Sequence, residues 1–229
     1  MAGYWETNLA GPRQQPLNSA AHRRRCLPWC AAVLIGAWVA VLAVVWWANV
    51  VYQFTPARGG QFPSQWPSDS QLDRDGAPAL VIFLHAYCPC SRATLHELQQ
   101  VMARIPAAGR AFCVVTYPAS QERAESDLVN TAREIPRLQV TIDDSAEESA
   151  RFGATASGTL LYYDAGGALQ FAGGITASRG HEGANPGVDA LLAAFGGERG
   201  GNTKTPVFGC GLPTRSAGHA PTNSASGAN

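Results

Sequence analysis

Cys88 and Cys90 are separated by one proline in FLHAYCPCSRATL, residues 83–95, where an apolar run gives way to a helical pattern. Two thiols at such a junction can exchange disulfides, hold a soft metal ion, or serve only as structural side chains. The junction favours ionisation of the first thiol, because backbone N–H groups opening a helix lack intrahelical partners and the dipole there is positive. Pro89 fits the first helical position, where its missing N–H is no loss. Ser91 and Arg92 follow, and the Arg92 guanidinium adds positive potential. The spacing sets the difficulty: a Cys88–Cys90 disulfide closes a small, strained and easily reduced ring. Cys210, in the apolar island PVFGCGL, offers either thiol a longer, relaxed loop.

Other candidates flank this motif. His85 ends the apolar run two residues before Tyr87, where it could orient the cysteine turn. The glycine-rich GGITASRGHEGANPG, residues 173–187, carries Arg179, His181, Glu182 and Asn185. Arg179 suits an anion or thiolate, and His181 suits a base or a metal ligand. Cys88, Cys90 and His181 therefore form the donor set of an alternative copper or zinc site. Cys113 in AFCVVTYP reads as a small buried hydrophobe, and His96 with Glu97 as a solvated helix face. Cys26 and Cys30 flank an apolar segment with no partner ligands nearby. No phosphate loop, Ser-His-Asp order or paired zinc motif is present. Seventeen Lys and Arg balance seventeen Asp and Glu, so bulk charge directs nothing towards nucleic acid.

The elements that must position these residues alternate. Residues 79–86 form an apolar strand run, and 91–105 place Leu95, Leu98, Val101, Met102 and Ile105 at helical spacing. Strand 111–118, helix 126–135, strand 140–144 and helix 145–153 follow. Residues 159–175 form a hairpin around Asp-Ala-Gly-Gly, and 186–197 a closing helix. That order predicts an α/β domain, a central mixed sheet flanked by helices with its last two strands antiparallel.

Trp29 to Val51 is almost wholly apolar, and no charged residue stands between Cys26 and Ala57. As a helix it is about 34 Å long, enough for a hydrocarbon core of about 30 Å. The run exceeds a usual signal-peptide core and no clear cleavage site follows, which favours an uncleaved anchor. His22-Arg23-Arg24-Arg25 precedes it, so the N-terminus is expected in the cytoplasm and the domain outside it, which is the periplasm if the cell is Gram-negative. The expected organisation is a cytoplasmic segment 1–28, a transmembrane helix 29–52, a linker 53–76, a domain 77–198 and a flexible tail 199–229 carrying Cys210.

The run VIFLHAYCPCSRATL resembles the thioredoxin active site, and FGATASGTLLYYDAGGALQFAGGI resembles the later thioredoxin hairpin. The resemblance implies a thioredoxin-like fold with Cys88 as the attacking cysteine. Aligned without a gap, Ser91 takes the resolving cysteine's place and Cys90 an intermediate one; a one-residue deletion makes Cys90 the second thiol. Ser157-Gly158-Thr159 stands where thioredoxins carry a cis-proline, so Gly158 and Thr159, with Tyr87, are the implied substrate contacts. HAYCPCSRATL, SGTLLYYDAGG, GGITASRGHEGANPG and VFGC further resemble the membrane-anchored bacterial thioredoxin-like proteins labelled RedB. The implied activity is thiol–disulfide exchange on protein or small-molecule thiols and disulfides, with Cys90 or Cys210 resolving Cys88. No cofactor beyond the redox cysteines is implied, copper being the alternative.

Overall fold

The structure is a computed structural model that describes residues 19–105, 109–118, 126–197 and 203–213. The expected cytoplasmic residues 1–18 and the far tail 214–229 lie outside the described residues. The chain divides into two units, residues 1–50 and 51–229.

In the first unit, helix α1 begins at Ser19 and ends at Phe54, just within the second. Its stretch Trp29–Phe54 has a mean hydropathy of 2.3 and is long and apolar enough to cross a membrane. Trp29, Val33, Leu34, Trp38 and Trp46 are all exposed. A helix apolar on every side, with no protein covering it, suits lipid.

The second unit is built on a six-stranded sheet in the order β3-β2-β1-β4-β5-β6. Strand β1 (Ala79–His85) runs parallel to β2 (Arg110–Thr116) and antiparallel to β4 (Thr159–Tyr163). Strand β3 (Leu138–Ile142) pairs parallel with β2, and β5 (Leu169–Gly173) antiparallel with β4. Helices α2 (Cys90–Arg104), α3 (Asp127–Glu134), α4 (Glu147–Arg151) and α5 (Pro186–Phe195) complete the expected order. Strand β6 (Thr203–Lys204), parallel to β5, was not expected.

Side chains of β1 alternate between two cores, as a strand covered on both faces requires. Leu80, Ile82 and Leu84 pack with Leu95, Leu98 and Val101 of α2, Leu128 and Val129 of α3, and Leu191 of α5. Ala79, Val81 and Phe83 pack the other way, with Phe112, Val114, Phe152, Leu161 and Tyr163. Glu97 is a correction. It is buried, not solvated, and its Oε1 accepts from Gly183 N at 2.6 Å. His96 does face solvent, paired with Glu182 at 3.0 Å.

The stretch expected as a linker, 53–76, instead lies along the second core over much of its length. Trp66 meets Phe152 edge-on at 5.0 Å and Tyr163 at 5.3 Å, Leu72 is buried, and Gln65 bridges to Ala168. Aromatic packing and backbone pairing with residues a hundred positions away hold it, and neither leaves a local period. The tail also departs from expectation: Val207, Phe208 and Leu212 are buried.

Candidate active site

Strand β1 ends at His85, and the four residues Ala86–Pro89 carry the chain into α2 at Cys90. Cys88 N donates to His85 O at 3.1 Å and Ser91 N to Cys88 O at 3.0 Å, which closes the turn. Pro89 caps the helix in a helical conformation. Cys88 is buried, beside a cleft of about 410 Å³ lined by Tyr87, Pro89, Arg92, Ser126 and Asp127.

The C-terminal segment delivers the third thiol. Cys210 Sγ lies 3.0 Å from Cys88 Sγ. Either thiol can donate when both are protonated; once Cys88 ionises, only Cys210 can. A disulfide needs a further approach of about 1 Å.

Burial works against a Cys88 thiolate, but hydrogen bonds from the Cys210 side chain and backbone, the Ser91 hydroxyl and the Cys90 backbone outweigh it. They hold the Cys88 thiol below its ordinary 9.0. Burial raises Cys90, and the charge and hydrogen bonding of Cys88 raise it further against the opposing charge of Arg179. Cys210 is pushed up to about 12, by burial first and then by its bond to Cys88. The order of the shifts makes Cys88 the first of the three thiols to ionise, with Cys90 and Cys210 beside it as hydrogen-bond donors. Cys113, wholly buried, is pushed up to about 12 and stays a packing residue.

Ser157 organises the floor of the site. Its Oγ accepts from His85 N at 2.9 Å and lies 2.8 Å from Ser91 Oγ, while its N donates to Cys210 O at 2.8 Å. Sequence reasoning assigned it no role, because its partners lie 72, 66 and 53 residues away. The serine preceding the expected cis-proline position was the one available signal. Replacing it, Ser157→Ala, strands a partly buried His85 N–H and should lower stability by about 1–3 kcal/mol, measured as a reduced denaturation midpoint.

The other expected residues fall into place unevenly. Tyr87 lines the cleft and packs edge-on against Tyr117 at 5.7 Å. His85 Nδ1 accepts from Tyr87 N at 3.3 Å, and burial lowers its pKa. Arg92 is exposed, 3.5 Å from Asp127. Arg179 donates from Nη1 to Gly209 O at 2.5 Å, tying down the segment that carries Cys210, and its charge favours ionisation of Cys90 and Cys210. Asn185 caps α5, accepting from Val188 N at 3.0 Å. Gly158 and Thr159, expected to face substrate, are buried; Gly158 N donates to Phe83 O and Thr159 Oγ1 to Ala156 O. The C-terminal segment lies over that edge, which displaces their expected role. His181 is exposed, and among the described residues no three His, Cys, Asp or Glu side chains are grouped to hold a metal.

The mixed sheet, with β1 central between a parallel and an antiparallel neighbour and the thiol at its C-terminal end, is a thioredoxin-like fold. Among solved structures, an uncharacterised conserved protein from Geobacillus kaustophilus is 17% identical, with a TM-score of 0.52 over 72% of this chain and 95% of that one. A hypothetical protein from Sinorhizobium meliloti is 18% identical, with a TM-score of 0.51 over 69% and 93%. A secreted Mycobacterium tuberculosis disulfide oxidoreductase is 20% identical, with a TM-score of 0.38 over 53% and 82%. The likeness to the first two is one of fold. No protein-family model and no curated protein matches the chain.

Proposed function

We propose that this chain is a membrane-anchored, extracytoplasmic thiol–disulfide oxidoreductase of the RedB-like kind, with Cys88 as nucleophile and Cys210 as resolving thiol. The observation that carries this reading is the 3.0 Å approach of Cys210 Sγ to a Cys88 sulfur held below its ordinary pKa. In the reducing direction the Cys88 thiolate attacks a substrate disulfide, forming a mixed disulfide and releasing one substrate thiolate. Cys210 then loses its proton to solvent and attacks Cys88 Sγ. The second substrate thiolate leaves, takes up a proton, and the Cys88–Cys210 disulfide remains.

Cys210 is favoured over Cys90 as the resolving thiol on geometry. The Cys88–Cys210 loop spans more than a hundred residues, whereas the Cys88–Cys90 ring is strained by its own shortness. Cys90 then acts as a hydrogen-bond donor to the thiolate. The α1 anchor would hold these thiols near the membrane, with the N-terminus in the cytoplasm.

The test is disulfide mapping of the air-oxidised, full-length chain together with reduction of a small disulfide by the reduced chain. A Cys88–Cys210 crosslink and stoichiometric reduction are expected. A Cys88–Cys90 crosslink would move the resolving role to Cys90. An inert, uncrosslinked chain that binds Cu(I) through Cys88 and Cys90 would replace the reading with metal binding.

A further inference from the structure

Residues 207–212 lie along Thr155–Ser157 like a short antiparallel strand. Ser157 N donates to Cys210 O at 2.8 Å, Leu212 N donates to Thr155 O at 2.9 Å, and Ala156 pairs with Gly211. Those hydrogen bonds use backbone atoms alone, so they fit any extended peptide. Such pairing supplies affinity, while the side chains around it supply selectivity. What makes this seat specific is the cysteine it presents, 3.0 Å from Cys88.

The fit around that cysteine is asymmetric. A Cβ at Gly209 would fall 1.8 Å from Ser157 O, which no side chain tolerates without moving the backbone. At Gly211 the nearest atom to an added Cβ is 4.0 Å away, an ordinary contact. Val207, Phe208 and Leu212 are buried against the domain.

We propose that this edge is a peptide-recognition site for a partner's extended, cysteine-bearing strand, and that Val207–Leu212 is its resident occupant. The strand it selects has glycine immediately before the cysteine and apolar residues two and three positions before and two after. Immediately after the cysteine a Cβ is tolerated. The proposal rests on the oxidoreductase reading above.

Exchange of occupants is a disulfide exchange. The partner's thiolate, its proton given to solvent, attacks Cys88 Sγ in the Cys88–Cys210 disulfide. The new Cys88–partner bond forms as the old one breaks, and Cys210 leaves as a thiolate that takes up a proton. One disulfide is lost and one gained, so no further oxidant enters.

The test uses the full-length chain in detergent micelles, carrying Cys90→Ala and Cys210→Ala, with a Cys88→Ala version as background. Three peptides are presented as mixed disulfides with a chromogenic aromatic thiol: TPVFGCGLP, and its two versions with alanine before or after the cysteine. Coupling to Cys88 releases the coloured thiolate. Alanine before the cysteine should slow coupling by about tenfold or more, as overpacking against a fixed backbone does, while alanine after it leaves the rate within about twofold. Adding Gly209→Ala to the chain should unseat the resident segment and speed coupling of the parent peptide.

Equal rates for all three peptides, or greater slowing by the alanine after the cysteine, would overturn the proposal. A small symmetrical disulfide separates the two levels. If Cys88 reacts with it but ignores the glycine, recognition alone fails; if Cys88 is inert towards it, the oxidoreductase reading fails with it.

Discussion

Cys88→Ser is expected to abolish disulfide reduction by the full-length chain, a loss of ~10³-fold or more, because the group removed is the proposed nucleophile, which would form the covalent intermediate. Cys210→Ala should act differently. It removes the proposed resolving thiol, so the mixed disulfide on Cys88 should persist and be isolable on a non-reducing gel. It also removes one of the hydrogen bonds that hold the Cys88 thiol below 9.0. The reactive species is the thiolate, present above the folded pKa, so the alkylation rate of the reduced wild-type chain should rise with pH through a midpoint below 9.0. In Cys210→Ala that midpoint moves up and the rate at neutral pH falls. An unchanged midpoint would mean that Cys210 lies beside Cys88 without supporting its ionisation, and the helix start alone would then carry the thiolate.

The same hydrogen bonds explain why the Cys-Pro-Cys spacing does not demand a ring between its own two thiols. With Cys88 as thiolate, Cys90 is raised above its ordinary value and donates, while Cys210 arrives from more than a hundred residues away. Ser91, which holds the place of a resolving cysteine in an ungapped alignment, contributes a hydroxyl to the same sulfur and to Ser157. Arg179 has a supporting part. By holding Gly209 O it fixes where Cys210 stands, so Arg179→Gln should lower the fraction of Cys88–Cys210 disulfide at a given redox poise while leaving Cys88 alkylation of the reduced chain within about twofold. Quantified disulfide mapping in a glutathione buffer checks this.

What could be read from the sequence was what local physics determines. The strand ending at His85 and the helix from Cys90 are visible because apolar runs and helical spacing are short-range patterns, and their junction singles out Cys88, while the Cys210 hydrogen bonds that lower its pKa come from far along the chain. The hairpin of β4 and β5 was legible from its turn residues. Ser157, Glu97 and the tail were not. Ser157 matters through His85, Ser91 and Cys210, all distant in sequence. Glu97 looks like any helix-surface acid until Gly183 is seen to donate to it. Residues 203–212 are mostly small or polar, so their composition suggests a mobile tail; backbone pairing to Thr155–Ser157, which has no side-chain signature, makes them part of the domain. PVFGCGL was the one visible clue, and its Cys210 stands 3.0 Å from Cys88.

The stretch 57–76 shows the same limit on the other side of the sheet, and one residue tests how much it contributes. Phe152 is fully buried and touches Trp66 at 5.0 Å, Phe83 at 5.5 Å and Tyr163 at 6.0 Å. It therefore joins the N-terminal extension to the underside of β1 and β4. Phe152→Ala removes that ring from a close-packed site and should cost about 3–5 kcal/mol, a large share of the 5–15 kcal/mol or so that such a domain possesses. Phe152→Leu retains most of the volume and should cost about 1–2 kcal/mol. Denaturant titration followed by circular dichroism measures both, and limited trypsin digestion reports whether cleavage after Arg58 and Arg74 appears first. If the extension merely lies on the surface, Phe152→Ala should unfold with a loss below about 1 kcal/mol. If it completes the core, tryptic cleavage of the extension and loss of the sheet should proceed together, because Phe83 carries both the Phe152 contact and the carbonyl that holds Gly158 beneath the active-site edge.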